Sequence, residues 1–262
     1  MKRTTLTRWG FIIGFLISLP LVVSAEENPT APSPLAKEVK GQPAQAGQVT
    51  KTVLYQPPHK GAPASGLRRG GGTRGLNKSV PVISLLAPEH VGWTLQEQPV
   101  LYWFTPTKQD QSFSFEFTLI GDNAETPVVE TKLPPPAQAG LQQIKLSDYK
   151  VKLSPGERYL WSVSLIVDAE ERSANIVAKG AIERVEREKL VPPLKTAFSD
   201  AEAPVRYAEA GIWYDAIMAL TDRIQSNPVN NELRQQRASL LEQVGLGDVA
   251  TNALMASASR AE

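Results

Sequence analysis

Between Val80 and Val185 the apolar side chains recur at every second position. Only an extended chain turns that period into one continuous apolar face. The pattern predicts strands over residues 81–86, 99–104, 112–120, 127–133, 141–146, 159–167 and 174–185. Turn-forming runs separate them, among them Thr105-Pro106, Gly121-Asp122-Asn123, Ser154-Pro155-Gly156 and the Pro-rich stretch 134–140. Seven short strands with turns at this spacing predict an antiparallel β-sandwich over residues 80–185.

One strand sharpens the reading. Tyr159, Trp161, Val163, Leu165 and Val167 share a face, while Ser162 and Ser164 point the other way. The preceding run Leu153-Ser154-Pro155-Gly156-Glu157-Arg158-Tyr159 predicts a tyrosine corner, in which the phenol returns to an upstream backbone group. Trp103 is the expected core partner of Trp161, and Phe113, Phe115 and Phe117 are expected core residues. The segment resembles a fibronectin type III or immunoglobulin-like module, which by itself implies no activity.

After Val185 the period changes. A charged linker, residues 186–198, contains Pro192-Pro193, and residues 199–262 carry helical spacing in Ala, Glu, Leu and Arg. Gly211, Ala216, Ala219 and Leu220 recur 34 residues later as Gly245, Ala250, Ala253 and Leu254. A 34-residue period is that of tetratricopeptide hairpins, so the whole fold is expected to be α+β: a sandwich followed by a tetratricopeptide-like helical region. Arg234 and Arg237 depart from the repeat, standing where apolar residues are usual. Two units are too few for a free-standing solenoid, so they are expected to pack on the sandwich or on a partner.

The N-terminal part points to an address. Lys2, Arg3 and Arg8 precede an apolar run from Trp9 to Leu19, then Pro20 and the small residues Val23-Ser24-Ala25. This layout predicts a signal peptide over residues 1–25, cleaved after Ala25, and a periplasmic or secreted mature chain. No later segment is apolar enough to span a bilayer. Residues 26–79 hold eight Lys/Arg against three acids, while 17 face 24 from Val80 onward. A basic, Pro-, Ala- and Gly-rich leader of this kind reads as a disordered tether, with Val53-Leu54-Tyr55 as a patch that docks as a strand or sticker.

At the end of the leader, Arg68-Arg69-Gly70-Gly71-Gly72-Thr73-Arg74 combines flexible backbone with guanidinium charge. These residues are candidates for anion binding, or form a basic hinge. No Lys-Ser/Thr follows, so the run is no phosphate-binding P-loop, and no strand precedes it as a dinucleotide fingerprint requires. Trp93, Trp213 and Tyr214 are candidate partner-binding aromatics.

Gly70-Gly71-Gly72-Thr73-Arg74-Gly75, the Trp-containing β segment and Gly211-Ile212-Trp213-Tyr214-Asp215-Ala216 together resemble the domain of unknown function 928 family, over about residues 66–250. The resemblance implies a bacterial, mainly cyanobacterial, exported setting. It carries no activity, cofactor or catalytic residue with it.

Catalysis is not expected. The chain has no cysteine and two histidines, His59 and His90, with no hydrolase elbow, zinc motif or calcium loop. Neither histidine has a visible partner, and His90 is expected at the surface. No metal, cofactor or nucleic-acid partner is expected. The leading functional expectation is a periplasmic interaction or scaffold protein with a protein or cell-envelope partner. The alternatives are a module for an anionic or glycan envelope ligand through Arg68, Arg69, Arg74 and Trp93, and an unrecognised hydrolase.

Overall fold

The computed structural model describes residues 53–58, 68–70, 82–106, 113–167, 170, 172–189, 194 and 196–258, with the side chains of 174, 189 and 255–258 excepted. The signal-like segment 1–25 and most of the leader lie outside them.

The described residues form a mixed α+β structure of two sheets and four helices. The strands are β1 (Arg69–Gly70), β2 (Ile83–Leu85), β3 (Gly92–Thr94), β4 (Val100–Thr105), β5 (Ser114–Gly121), β6 (Val129–Leu133), β7 (Gly140–Lys145), β8 (Arg158–Ile166) and β9 (Ile176–Arg184). One sheet has the order β1-β2-β4-β7 and the other β3-β9-β8-β5-β6. All seven expected strands are present to within about two residues at each end. The additions are β1 and β3, each too short to carry a period, and β3 pairs with β9 in parallel.

Alternation explains the register. Phe115, Phe117 and Leu119 of β5 stand opposite Leu165, Val163 and Trp161 of β8, and all six are buried. Gly180 faces Trp161 across β8 and β9. A Cβ there would lie 3.1 Å from the indole nitrogen and 3.0 Å from the Ala87 Cβ, so glycine gives the ring its space. Between the sheets, Trp103 packs on Phe115 at 5.4 Å and Phe117 on Tyr149 at 5.8 Å. Trp103 is therefore not the partner of Trp161; that indole meets a helix instead. The corner at Tyr159 forms as expected, its hydroxyl oxygen accepting the Ser154 N–H at 3.1 Å.

The helices are α1 (Ala203–Glu209), α2 (Trp213–Ser226), α3 (Asn231–Gln243) and α4 (Gly247–Ala258). Pro204 lies in the first turn of α1, where its missing N–H costs nothing. Asn230 caps α3 by accepting the Leu233 N–H. The α1–α2 and α3–α4 connections turn at Gly211 and Gly245, with φ of +77° and +76°. The two glycines of the 34-residue repeat thus serve the same left-handed turn, which a residue with a Cβ adopts at a cost. Two stretches of the leader also belong to the body: residues 53–58, with Val53 and Tyr55 buried, and residues 68–70, which include β1. The tether reading fails there because both stretches have apolar or hydrogen-bonding surface to bury. None of the described helices is long and apolar enough to cross a membrane.

Candidate functional site

Where the helices meet the sheets, the start of α2 supplies three consecutive anchors. The Trp213 indole N–H donates to the Leu86 carbonyl at 2.8 Å. The Tyr214 hydroxyl donates to the Ala181 carbonyl at 3.0 Å and accepts from the Trp161 indole at 2.9 Å. Burial pushes the Tyr214 phenol well above its ordinary range, so it stays neutral and acts as a relay between strands and helix. The Asp215 carboxylate accepts the Thr94 hydroxyl at 2.6 Å, the Leu95 N–H at 3.1 Å and the Gln96 amide at 3.3 Å. Desolvation raises this carboxyl to about 6, against the pull of those hydrogen bonds. The strand beneath is fitted to the joint: a Cβ on Gly92 would lie 2.6 Å from the Tyr214 ring.

This placement corrects the reading of Trp213 and Tyr214 as a partner-binding surface. Both are buried, at 0% and 2% exposure, and their polar atoms are bonded inside the chain. Large aromatics near a small-residue turn serve close packing as well as recognition, and here they serve packing.

A second feature lies on the helical layer. Residues 53–58 run along it as an extended strap. The Gln243 side chain holds the strap backbone at two points, accepting the Tyr55 N–H at 2.8 Å and donating to the Val53 carbonyl at 2.8 Å. The Gln56 N–H donates to the Ala208 carbonyl at 3.0 Å. The Tyr55 ring meets Trp213 edge-on at 5.0 Å, and its hydroxyl lies 2.7 Å from His90 Nε2. Burial, then the neighbouring Arg68, hold His90 below its usual value, which favours the neutral imidazole at neutral pH. His90 is thus half-buried and partnered, contrary to its expected surface placement. His59 lies outside the described residues.

Two of the three candidate anion-binding arginines, Arg68 and Arg69, are engaged within the chain. The Arg68 guanidinium donates to the Ala87 and Val244 carbonyls and pairs with Glu89. Arg69 donates to the Gly245 carbonyl at 3.1 Å and pairs with Asp248 at 2.9 Å. Both side chains therefore satisfy carbonyls left open at the end of α3. Gly70 is required by space, because a Cβ would fall 2.6 Å from the Ile176 side chain. Gly71, Gly72, Thr73 and Arg74 lie outside the described residues. Trp93 sits on β3 rather than in a loop, half-buried against the cluster of Leu194, Ala210 and Ile212. Its indole N–H is buried with no hydrogen-bond partner among the described residues.

Among the described residues no three metal-ligating side chains converge on one point. The buried carboxyl among the described residues, Asp215, is 1% exposed, and its hydrogen bonds are made within the chain. Sequence reasoning missed Gln243, whose role no local pattern announces, and Asp215, which lies inside a motif noted for its glycine and aromatics.

Fold and joint together define a class: a two-sheet body bonded to paired helical hairpins, with an extended strap clasped on the hairpins. Residues 69–254 match the family described as Domain of Unknown Function (DUF928), and the chain belongs to that family. The matched span runs from β1 into α4 and leaves the strap outside. No curated protein matches the chain.

Proposed function

We propose that this protein is an exported, non-catalytic interaction module of the bacterial periplasm, whose helical hairpins hold extended peptide chain. The carrying observation is the strap: one Gln243 amide reads both the N–H and the C=O of a passing backbone, as a peptide-recognition site must. Backbone reading of this kind is indifferent to side chains, while the burial of Val53 and Tyr55 supplies selectivity at alternate positions.

In this reading the body is an immunoglobulin-like or fibronectin type III sandwich. The tyrosine corner before β8 supports it, as does the crossing of the chain from β2 in one sheet to β3 in the other. The hairpins are tetratricopeptide-like, supported by the glycine turns 34 residues apart. The signal-like N-terminus supports export.

A displacement assay tests the proposal. In a Val53→Asp, Tyr55→Ser variant the chain's own strap is released, and a fluorescent peptide of residues 50–60 is titrated by anisotropy. Saturable binding that Gln243→Ala abolishes is the expected result. Absence of binding to the strap-released protein, with its circular dichroism unchanged, overturns the reading.

A further inference from the structure

The helix–sheet joint carries a charge that no acidic side chain among the described residues pairs with. Arg237 of α3 points into a cavity of about 490 Å³ between α2, α4, β4 and the approach to β7. That volume lies within the range of small-ligand pockets. Among the described residues its guanidinium has a single hydrogen bond, a long one of 3.4 Å to the Thr221 hydroxyl oxygen. That hydroxyl in turn donates to the Ile217 carbonyl, so it brings no negative charge. The nearby Tyr102 phenol brings none either, because burial and the Asp222 carboxylate push it up to about 12. Burial lowers Arg237 to about 10, which leaves it charged at neutral pH. Arg234, one turn away, adds a like charge and binds Asn231 and the Pro228 carbonyl rather than an acid.

A half-buried cation without a counter-ion is costly, and five donors in a planar fork match one carboxylate well. The rest of the wall mixes apolar and polar surface, Phe104, Leu141, Ile224 and Ala253 standing beside the amides of Gln138, Gln142 and Gln225. We propose that this cavity is a binding site for an amphipathic carboxylate, its head on Arg237 and its short apolar chain against Phe104, Leu141 and Ile224. Arg237 is the one cation among the described residues that line the cavity, which favours a monoanion, since a dianionic phosphate would leave a second charge without a partner there. The departure of Arg237 from the helical repeat then has a reason: an apolar residue there would pack the hairpin and close the site. The inference is independent of the strap and of peptide holding by Gln243.

The test is calorimetric titration of the full chain with hexanoate, methyl hexanoate and hexylammonium, together with a tetrapeptide ending in leucine as free acid and as amide. Binding of hexanoate, of the free-acid peptide or of both is expected, with the ester, the ammonium and the amide silent. Which acid binds tells whether a free acid or a chain terminus is the source. Arg237→Gln should weaken that binding by at least about tenfold, because charge-assisted hydrogen bonds are the stronger kind. Equal binding of the ester or ammonium overturns the proposal, as does the lack of saturable binding by either acid. The wild-type comparison decides the matter even where Arg237→Gln does not fold.

Discussion

Asp215 shows how much one side chain decides at this joint. Its carboxyl is raised to about 6 in the folded chain, against an ordinary 3.8. The folded state therefore binds this proton more tightly than the unfolded chain. The stabilisation is complete below about pH 4 and is lost as pH rises to about 6, where the buried carboxylate must carry its charge. At 1.36 kcal/mol per pKa unit the difference is about 3 kcal/mol. Urea unfolding of wild type and Asp215→Asn between pH 4 and 7 should show this falling slope in the first and its absence in the second; equal slopes would remove the assignment. Gly92→Ala is a steric counterpart, because the new methyl meets the Tyr214 ring at 2.6 Å and two Pro88 carbons at 3.2 Å. Overpacking of that kind costs about 1–3 kcal/mol, read as a lower urea midpoint. At this scale the sequence announced alternation and the tyrosine corner, since both are local. It named Trp103 for the partner of Trp161 and missed Tyr214, which arrives from 53 residues away.

Among the elements, the paired glycine turns offer a controlled comparison. Gly211→Ala and Gly245→Ala both force a Cβ into left-handed backbone, at about 1–2 kcal/mol each. Their surroundings differ. The nearest atom to a Cβ at Gly245 is an Arg68 nitrogen at an ordinary 3.5 Å, whereas at Gly211 it is the Gln56 carbonyl oxygen at 2.8 Å. Gly211→Ala should therefore lose more stability and also loosen the strap, seen as faster proteolysis near residues 53–58. Gly245→Ala should leave that cleavage rate unchanged. The six longer strands and the hairpin period were legible because each repeats its pattern over several residues, and the three-residue β2 because it lies in an apolar run. β1 and β3, with two and three residues, have no room for a period, and their existence depends on the strand alongside. The strap was half legible: Val53-Leu54-Tyr55 stands out among prolines, but the groove that receives it is built from α1 and α3.

The molecule as a whole joins two architectures through one shared hydrophobic core, and this has a thermodynamic consequence. Trp161, Trp213 and Tyr214 are all nearly inaccessible, and each relies on atoms from the other half. Such a joint leaves neither half with a complete core, which is why two hairpins too few for a solenoid persist here. Heating the protein should then give a single transition whose calorimetric and van't Hoff enthalpies agree. Tyr214→Phe keeps the ring but strips the Trp161 N–H and the Ala181 carbonyl of their partner, at about 1–3 kcal/mol, so the transition should stay single and move down. Trp213→Ala opens a cavity worth about 3–5 kcal/mol at the joint itself and should separate helical from β melting, followed by circular dichroism at two wavelengths. Two transitions already in the wild type would mean that the halves are stable apart. The burial of Trp213 and Tyr214 would then be a consequence of docking, and the joint would no longer explain why hairpins and sheets share one chain.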